Sequence, residues 1–273
     1  MKIAVIANKE KPSVYGVCKE IAELLIPDGV ELLTDDAALG GDYQLVETDI
    51  LYKEADFVVA VGGDGTIMHT AKRAARAGKA IVGINAGRIG FLANVEQSEL
   101  KELRRLLTGD FEIDSRMVFT VEINGKEYDF INDLVIVKSG LENLIDITAG
   151  YAEHGISYRA DGLILATPTG STAYSMSAGG PILDTDLNCI VATPICPHAL
   201  FSRSMIFNAD REMMVCLADE GQTAEMILDG EHHIAVSPNK VIRVMKNREI
   251  SIQFVKFKKD AFYDILSQKF STR

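Results

Sequence analysis

The first hundred residues alternate between two apolar patterns, one with the continuous apolarity of a buried strand and one with helical spacing. Continuous, β-branched runs that predict strands occupy residues 2–7, 57–61 and 80–85. Apolar side chains at helical spacing predict helices over residues 14–25, 67–75 and 100–107, followed by the stop signals Gly29, Gly78 and Gly109. Such alternation produces a parallel sheet covered by helices on both faces. We therefore predict a three-layer, Rossmann-like α/β domain for residues 1–110.

After residue 110 the apolar positions alternate in the period of a strand, and helical patterns become rare. Asn124-Gly125 lies between two alternating runs, which is a strong signal for a tight hairpin. Further strand-like runs occupy residues 134–137, 144–149, 163–166, 189–193, 212–217, 224–228, 241–245 and 250–255. We predict an all-β, layered β-sandwich domain over residues 111–255. Residues 262–270 predict a closing helix, so the tail 256–273 is expected to complete the first domain.

The charge balance is acidic, with 28 Lys and Arg against 39 Asp and Glu, or a formal net charge of −11. This balance argues against a broad surface for nucleic acid or an anionic membrane. The first residues are typical of a strand rather than a secretory signal, and no apolar run has transmembrane length. We therefore predict a cytoplasmic protein. The cysteines form no Cys-x-x-Cys pair and lie in apolar runs, which indicates reduced, buried thiols: Cys18, Cys189, Cys196 and Cys216.

A glycine-rich turn with one carboxylate, Gly-Gly-Asp-Gly-Thr at residues 62–66, joins the strand 57–61 to a helix. Glycines let backbone amides approach a phosphate, and a helix N-terminus adds partial positive charge. Asp64 would repel a bare phosphate, so we expect it to face a metal ion or a hydroxyl group, as in phosphoryl transfer. The alternative is a helix N-cap. The turn matches neither the Walker motif nor the dinucleotide Gly-x-Gly-x-x-Gly motif.

A second polar region, residues 159–181, ends a predicted strand in a dense set of hydroxyls, glycines and prolines. Its side chains can hydrogen-bond a ligand, although loops capped by Ser and Thr have a similar composition. The pair Asn132-Asp133 leaves the same two interpretations open. Adjacent His232 and His233 would face opposite sides of a strand and predict no metal site.

These motifs resemble those of the NAD kinases, and the resemblance extends over most of the chain. The matching segments are residues 62–66, the block 83–92, Asn132-Asp133, residues 161–181 and residues 193–198. The first motif, residues 62–66, is also similar to motifs of diacylglycerol kinases, sphingosine kinases and phosphofructokinases. The long motif, residues 161–181, is specific to the NAD kinases. The resemblance implies phosphorylation of the adenosine-ribose 2′-hydroxyl of NAD by ATP or another donor. It also implies a divalent metal, Mg²⁺ carried with the nucleotide phosphates, and a homodimer or homotetramer.

The resemblance also implies roles for individual residues. Asp64 would be catalytic, as the acceptor for the proton of the 2′-hydroxyl. Phe91 would line the adenine pocket, Asn132 and Asp133 would bind the nicotinamide side, and Arg159 would lie near a subunit contact. The residues implied to bind NAD are Asp64, Gly65, His69, Phe91, Asn132, Asp133, Arg159, Asp161, Thr172, Ala173, Tyr174, Ser175, Ser177 and Asp229.

The sequence departs from the pattern of the NAD kinases at two positions, and two alternative functions stay open. His69 stands where many members of the family carry arginine, and Ala160 stands where glycine is common. One alternative is a lipid or sugar kinase that shares the glycine turn, and the other is a non-catalytic NAD(P)-binding regulator. The identity of the phosphoryl donor and the choice between NAD and NADH stay open.

Overall fold

The computed structural model describes residues 1–87, 90–140, 143–152, 154–198, 203–218, 223–238, 240–258 and 261–271. The chain divides into two compact units, one formed by Met1–Ser115 with Ile250–Arg273 and the other by Arg116–Glu249. The sequence predicts domain boundaries at residues 110 and 255. The divisions between the two compact units lie inside two long strands, so no loop or change of composition marks them.

The first unit contains a parallel sheet and the helices that cover it. Its strands are β1 (Lys2–Ala7), β2 (Glu31–Thr34), β3 (Gln44–Leu45), β4 (Phe57–Gly62), β5 (Ala80–Asn85) and β6 (Val95–Glu96). Its first four α-helices are α1 (Ser13–Leu25), α2 (Thr48–Glu54), α3 (Asp64–Arg76) and α4 (Arg105–Thr108). Short 3-10 helices cover Ile26–Asp28, Ala37–Leu39 and Gln97–Arg104.

The second unit is built from strands. They are β7 (Glu112–Ile123), β8 (Lys126–Phe130), β9 (Asp133–Lys138), β10 (Ile145–Tyr151), β11 (His154–Ala160), β12 (Gly162–Ala166), β13 (Cys189–Ile195), β14 (Met205–Asn208), β15 (Met213–Leu217), β16 (Ala224–Leu228), β17 (His232–Val236) and β18 (Ile242–Lys256). The 3-10 helix Thr169–Thr172 and the short helix α5 (Tyr174–Ser177) follow β12. The C-terminal helix α6 (Ala261–Ser271) belongs to the first unit.

The sheet of the first unit has the strand order β3-β2-β1-β4-β5, and all its neighbouring strands are parallel. The order reverses between β1 and β4. In open α/β sheets, ligands bind beyond the carboxyl ends of the strands at such a reversal. The glycine turn directly follows β4 and is therefore at the expected place for a ligand.

In the second unit, two antiparallel sheets pack against each other. One has the order β11-β10-β15-β18, with β7 paired to β18 and β8, and the other has the order β14-β13-β12-β9-β16-β17. Alternate residues of both sheets form one buried core, which includes Val121, Ile147, Ile136 and Leu163. The predicted fold class, an α/β domain followed by a β-sandwich, is confirmed.

Three local expectations differ from the structure. The runs 241–245 and 250–255 are a single strand, β18, because the polar residues between them are accommodated as half-buried or exposed strand positions. The segment 100–107 begins as a 3-10 helix and becomes α-helical only at Arg105. Cys18 and Cys189 are buried as predicted, but Cys216 is half-buried and Cys196 is exposed. Cys196 lies beyond β13 with a φ of 45°, where the apolar run has ended.

Within the described part of the chain, no helix combines the length and the apolar composition that crossing a membrane requires.

Candidate active site

Asp64 is the first residue of α3, and its side chain turns away from that helix. The N-cap is Gly63, which has no side chain to cap the helix amides. The carboxylate of Asp64 accepts hydrogen bonds from the segment after β5, with Oδ2 2.9 Å from the nitrogen of Phe91 and Oδ1 3.1 Å from that of Leu92. The N-cap interpretation is therefore wrong. A carboxylate offers about four lone-pair positions, so these two donors leave capacity for a ligand.

The glycines near Asp64 serve two purposes. A β-carbon at Gly90 would lie 1.9 Å from Oδ1 of Asp64, and one at Gly62 would lie 2.7 Å from Cβ of Thr66. These two glycines allow close packing within the protein. A β-carbon at Gly63 or Gly65 would meet open space. Gly63 and Gly65 thus fit the predicted approach of a ligand to the helix N-terminus.

His69 and Phe91 are the other residues of the first unit, besides Asp64 and Gly65, that the resemblance implies to bind NAD. His69 is exposed on α3. The ring of Phe91 lies against α6, with its centroid 6.4 Å from that of Phe262 and the Nζ of Lys269 3.9 Å from its centre. The C-terminal helix therefore contacts the residue whose backbone N–H holds Asp64.

In the second unit, the structure brings together the Asn132-Asp133 pair and the hydroxyl-rich segment. The nitrogen of Thr167 donates to the carbonyl of Asn132 at 2.9 Å. Gly170 packs directly on the same residue, because a β-carbon there would lie 1.9 Å from the carbonyl oxygen of Asn132. The backbone N–H of Tyr174 donates to the carboxylate of Asp133. Motifs about 40 residues apart in sequence thus form one local structure.

Asp133 is a buried carboxylate, 5% exposed. Burial, and after it the negative charge of Asp229, raises the pKa of Asp133 to about 6 from its ordinary 3.8, although the N–H of Tyr174 acts in the opposite direction. The folded chain therefore binds this proton more tightly than the unfolded chain. It follows that ionisation of Asp133 removes stability as the pH rises from about 4 to about 6, with a full cost on the order of 3 kcal/mol above that range.

We expect Asp133→Asn to be more stable than the wild type at neutral pH, because asparagine has no charge to bury and still offers an oxygen to Tyr174. The difference in the free energy of unfolding should approach about 3 kcal/mol near pH 7.5 and fall to about 1 kcal/mol near pH 4.5. Urea denaturation of both proteins at the two pH values measures it. A difference that does not change with pH would contradict the assignment.

The buried hydroxyls of the segment 167–177 are used inside the protein. Oγ of Ser171 donates to the carbonyl of Pro168 at 2.7 Å, and Oγ of Ser175 lies 3.1 Å from Oγ1 of Thr193. Ser175 was predicted to contact NAD, but it has no exposed surface in this conformation. The remaining predicted residues are accessible: Thr172 and Ala173 are half-buried, and Tyr174 and Ser177 are exposed.

Asp161 and Arg159 lie at the junction of β11 and β12. Oδ1 of Asp161 is 2.6 Å from Nζ of Lys138, an ion pair that the sequence analysis did not single out. Arg159 is exposed, with Nη1 3.8 Å from Oδ2 of Asp146. A second cation missed from the sequence is Arg116, which is 7% exposed and donates from Nη1 to Oγ1 of Thr169 at 3.2 Å. The sequence gives no clear signal for this contact, because β7 contains other polar residues, such as Asp114 and Ser115, beside Arg116.

Asp229 lies in the turn between β16 and β17 and is 8% exposed. Its carboxylate accepts the backbone N–H groups of Ile131, Asn132 and Asp133. The resemblance to NAD kinases implies that Asp229 binds NAD, and the sequence around it gives no sign of these backbone contacts.

Among the described residues, no three His, Cys, Asp or Glu side chains are grouped so that they could hold a metal ion. His232 and His233 are exposed, and Nδ1 of His233 lies 3.1 Å from Oε1 of Glu225. Proteins commonly bind Mg²⁺ through one or two carboxylates together with substrate phosphates. The half-buried carboxylate of Asp64 fits such an arrangement.

Comparison with known proteins agrees with the motifs. Residues 3–111 match the ATP-NAD kinase N-terminal domain, and residues 131–257 match the ATP-NAD kinase C-terminal domain. The chain is 34% identical to an NAD kinase of Caldanaerobacter subterraneus subsp. tengcongensis, with 100% of this chain and 99% of the relative covered.

Two solved structures resemble the chain along its whole length. A yeast NADH kinase in complex with NADH has a TM-score of 0.90 at 20% identity, covering 100% of this chain and 88% of that one. An NAD kinase from Archaeoglobus fulgidus in complex with ATP has a TM-score of 0.78 at 25% identity, covering 100% of both chains. Since both domain matches and the full-length similarity agree, this chain belongs to the NAD kinase family.

Proposed function

We propose that this chain transfers the terminal phosphoryl group of ATP to the 2′-hydroxyl of the adenosine ribose of NAD, and that Asp64 orients that hydroxyl and accepts its proton. As an NAD kinase, the chain is an enzyme that phosphorylates NAD to NADP. The observation that carries the role of Asp64 is its geometry: a carboxylate beyond the end of β4 that is held by two backbone N–H groups and is not used as a helix cap.

Phosphoryl transfer has a loose transition state, so the protein contributes mainly by alignment and by electrostatic stabilisation. In the proposed step the ribose 2′-oxygen forms a bond to the γ-phosphorus while the bond from that phosphorus to the β,γ-bridging oxygen breaks. The proton of the 2′-hydroxyl passes to Asp64, and ADP leaves. The two N–H donors fix the carboxylate, so that its remaining lone pairs have a defined direction.

A divalent cation, Mg²⁺ carried on the ATP phosphates, would offset their negative charge when bound. Asp64 is the residue we assign to contact it. Its carboxylate is half-buried and adjoins the open space at Gly63 and Gly65. The chain as a whole carries a net charge of −11, so compensation of the phosphate charge has to come from local groups and from the cation.

NAD is proposed to bind through the predicted set of residues without Asp229, whose carboxylate accepts three backbone N–H groups. In the second unit this set centres on Asn132, Asp133 and the accessible part of the segment 172–177. The contacts between Asn132 and the segment around Gly170 support it, because they place both motifs in one local structure. The NADH and ATP named in the related structures support a dinucleotide and a nucleoside triphosphate as the two ligands. A homodimer or homotetramer and a cytoplasmic location are further proposals that rest on the resemblance.

The proposal is tested by incubating the purified chain with NAD, ATP and Mg²⁺ and measuring NADP with an NADP-specific dehydrogenase. We expect NADP to form in proportion to the enzyme. Parallel reactions with NADH, diacylglycerol and sugars as acceptors separate the alternatives. Phosphorylation of a lipid or sugar but not of NAD would favour the other kinases. Tight NAD binding without NADP formation would indicate a regulator.

A further inference from the structure

The segment Ile131–Asp133 is held by one side chain from a distant turn. Oδ1 of Asp229 accepts the N–H of Asn132 at 2.7 Å and that of Asp133 at 3.1 Å, and Oδ2 accepts the N–H of Ile131 at 2.9 Å. Three consecutive amides thus converge on one carboxylate. Hydrogen bonds to a charged acceptor are stronger than those between neutral groups, and burial of Asp229 strengthens them further.

The backbone of Asp229 adds to this connection. Its N–H donates to the carbonyl of Asp133 at 2.9 Å, one step beyond the last register pair of β16 and β9, which joins Leu228 to Leu134. Asp229 has a φ of 49°, in the left-handed region that aspartate tolerates better than most residues. The turn conformation therefore aims the carboxylate back at the start of β9.

Thr167 holds the same segment by its carbonyl groups. Oγ1 of Thr167 donates to the carbonyl of Ile131 at 2.5 Å, and the nitrogen of Thr167 donates to the carbonyl of Asn132. With the bonds to Asp229, every backbone N–H and carbonyl of residues 131–133 has a partner. The placement of Asn132 and Asp133 therefore depends on Asp229 and Thr167.

We infer that Asp229 is a positioning residue, which fixes Asn132 and Asp133 for binding of NAD rather than contacting the dinucleotide itself. This inference rests on the proposed function, because the dinucleotide is the ligand that Asn132 and Asp133 are proposed to bind. The oxygens of Asp229 are directed at backbone amides, so its influence on NAD passes through the residues that carry those amides.

The first test is Asp229→Asn. Its amide can keep an oxygen towards Asn132 and Asp133, but it then turns an N–H towards the N–H of Ile131. We expect the KM for NAD to rise about tenfold or more, with the KM for ATP changed less than about twofold. Asp210→Asn is the matched control: Asp210 is also an aspartate in a turn of the second unit, but it is exposed and bonds to Asn188. We expect its KM for NAD to stay within about twofold of the wild type.

A double-mutant cycle separates positioning from a general structural effect. If Asp229 acts through Asn132, then Asn132→Ala should weaken NAD binding about tenfold in the wild type but much less in Asp229→Asn. Effects that multiply to about a hundredfold in the double variant would overturn the inference. An unchanged KM in Asp229→Asn would overturn it as well.

Two further measurements keep the test decisive. If Asp229→Asn does not fold, Thr167→Val replaces it in the cycle. This change removes the hydroxyl's bonds to Ile131 and to the N–H of Gly170, and it nearly keeps the shape of the side chain. The affinity of the wild type and of each variant for NAD is measured by calorimetry, in addition to turnover. If the wild type binds NAD but makes no NADP, the proposed function fails, whereas the positioning role is still judged from the affinities in the cycle.

Discussion

Asp64→Asn is expected to lower kcat by about 100- to 10,000-fold, while the KM for NAD stays within about tenfold of the wild type. Asparagine cannot accept the proton of the 2′-hydroxyl, so the loss falls on the chemical step. Steady-state NADP formation at saturating NAD and ATP measures it. A kcat near that of the wild type would contradict the catalytic role of Asp64.

The contacts of Asp64 predict a second, smaller effect of this change. Phe91 and Leu92 each donate an N–H to a different oxygen of the carboxylate. Asparagine has only one oxygen, so one of these donors would face an amide NH₂ group. An unsatisfied donor of this kind costs about 1–3 kcal/mol when it is buried, and less here because the site is half-exposed. A thermal melt of the variant must accompany the kinetics, so that kcat refers to folded enzyme.

Asp49→Asn is the matched control for Asp64→Asn. Asp49 also lies in the first turn of a helix of the first unit, but it is exposed on α2. The control therefore reproduces the loss of one negative charge at a helix N-terminus. We expect its kcat to stay within about twofold of the wild type. An equal loss in both variants would mean that charge at helix starts, and not the position of Asp64, explains the effect.

The sequence predicted the first unit well, because the period of its apolar residues reports burial directly. Residues 2–7 and 80–85 are strands with the predicted bounds. The hairpin at Asn124-Gly125 was equally predictable, since both residues have the positive φ, 53° and 72°, that a type I′ turn requires.

The contacts that define the site could not be predicted in the same way. Asp64 is held by amides 27 and 28 residues away, and Asp229 holds amides almost 100 residues away. Such contacts depend on how strands align in the folded sheet, which local periodicity does not encode. Composition also could not separate Ser175, whose hydroxyl bonds within the protein, from the exposed Ser177 of the same segment.

Gly170→Ala is expected to cause the largest loss of stability among these variants, about 3 kcal/mol or more in the free energy of unfolding. A β-carbon at Gly170 would lie 1.9 Å from the carbonyl oxygen of Asn132, 2.3 Å from its carbonyl carbon and 2.5 Å from its Cα. All three are backbone atoms, so no side-chain rotation relieves the clash. The two segments would have to separate, which breaks the bond from Thr167 to Asn132. Urea denaturation measures the loss.

Gly16→Ala provides the control for Gly170→Ala. Gly16 lies inside α1, is exposed, and has no atom within 4 Å of the position a β-carbon would take. The same methyl group should therefore stabilise the protein by about 1 kcal/mol, because alanine favours a helix over glycine. Where Gly170→Ala still folds, separation of the segments should also displace Asn132 and raise the KM for NAD. Wild-type stability in Gly170→Ala would show that the segments are not packed as closely as the distances indicate, and it would remove the basis for treating Asn132 and residues 167–177 as one site.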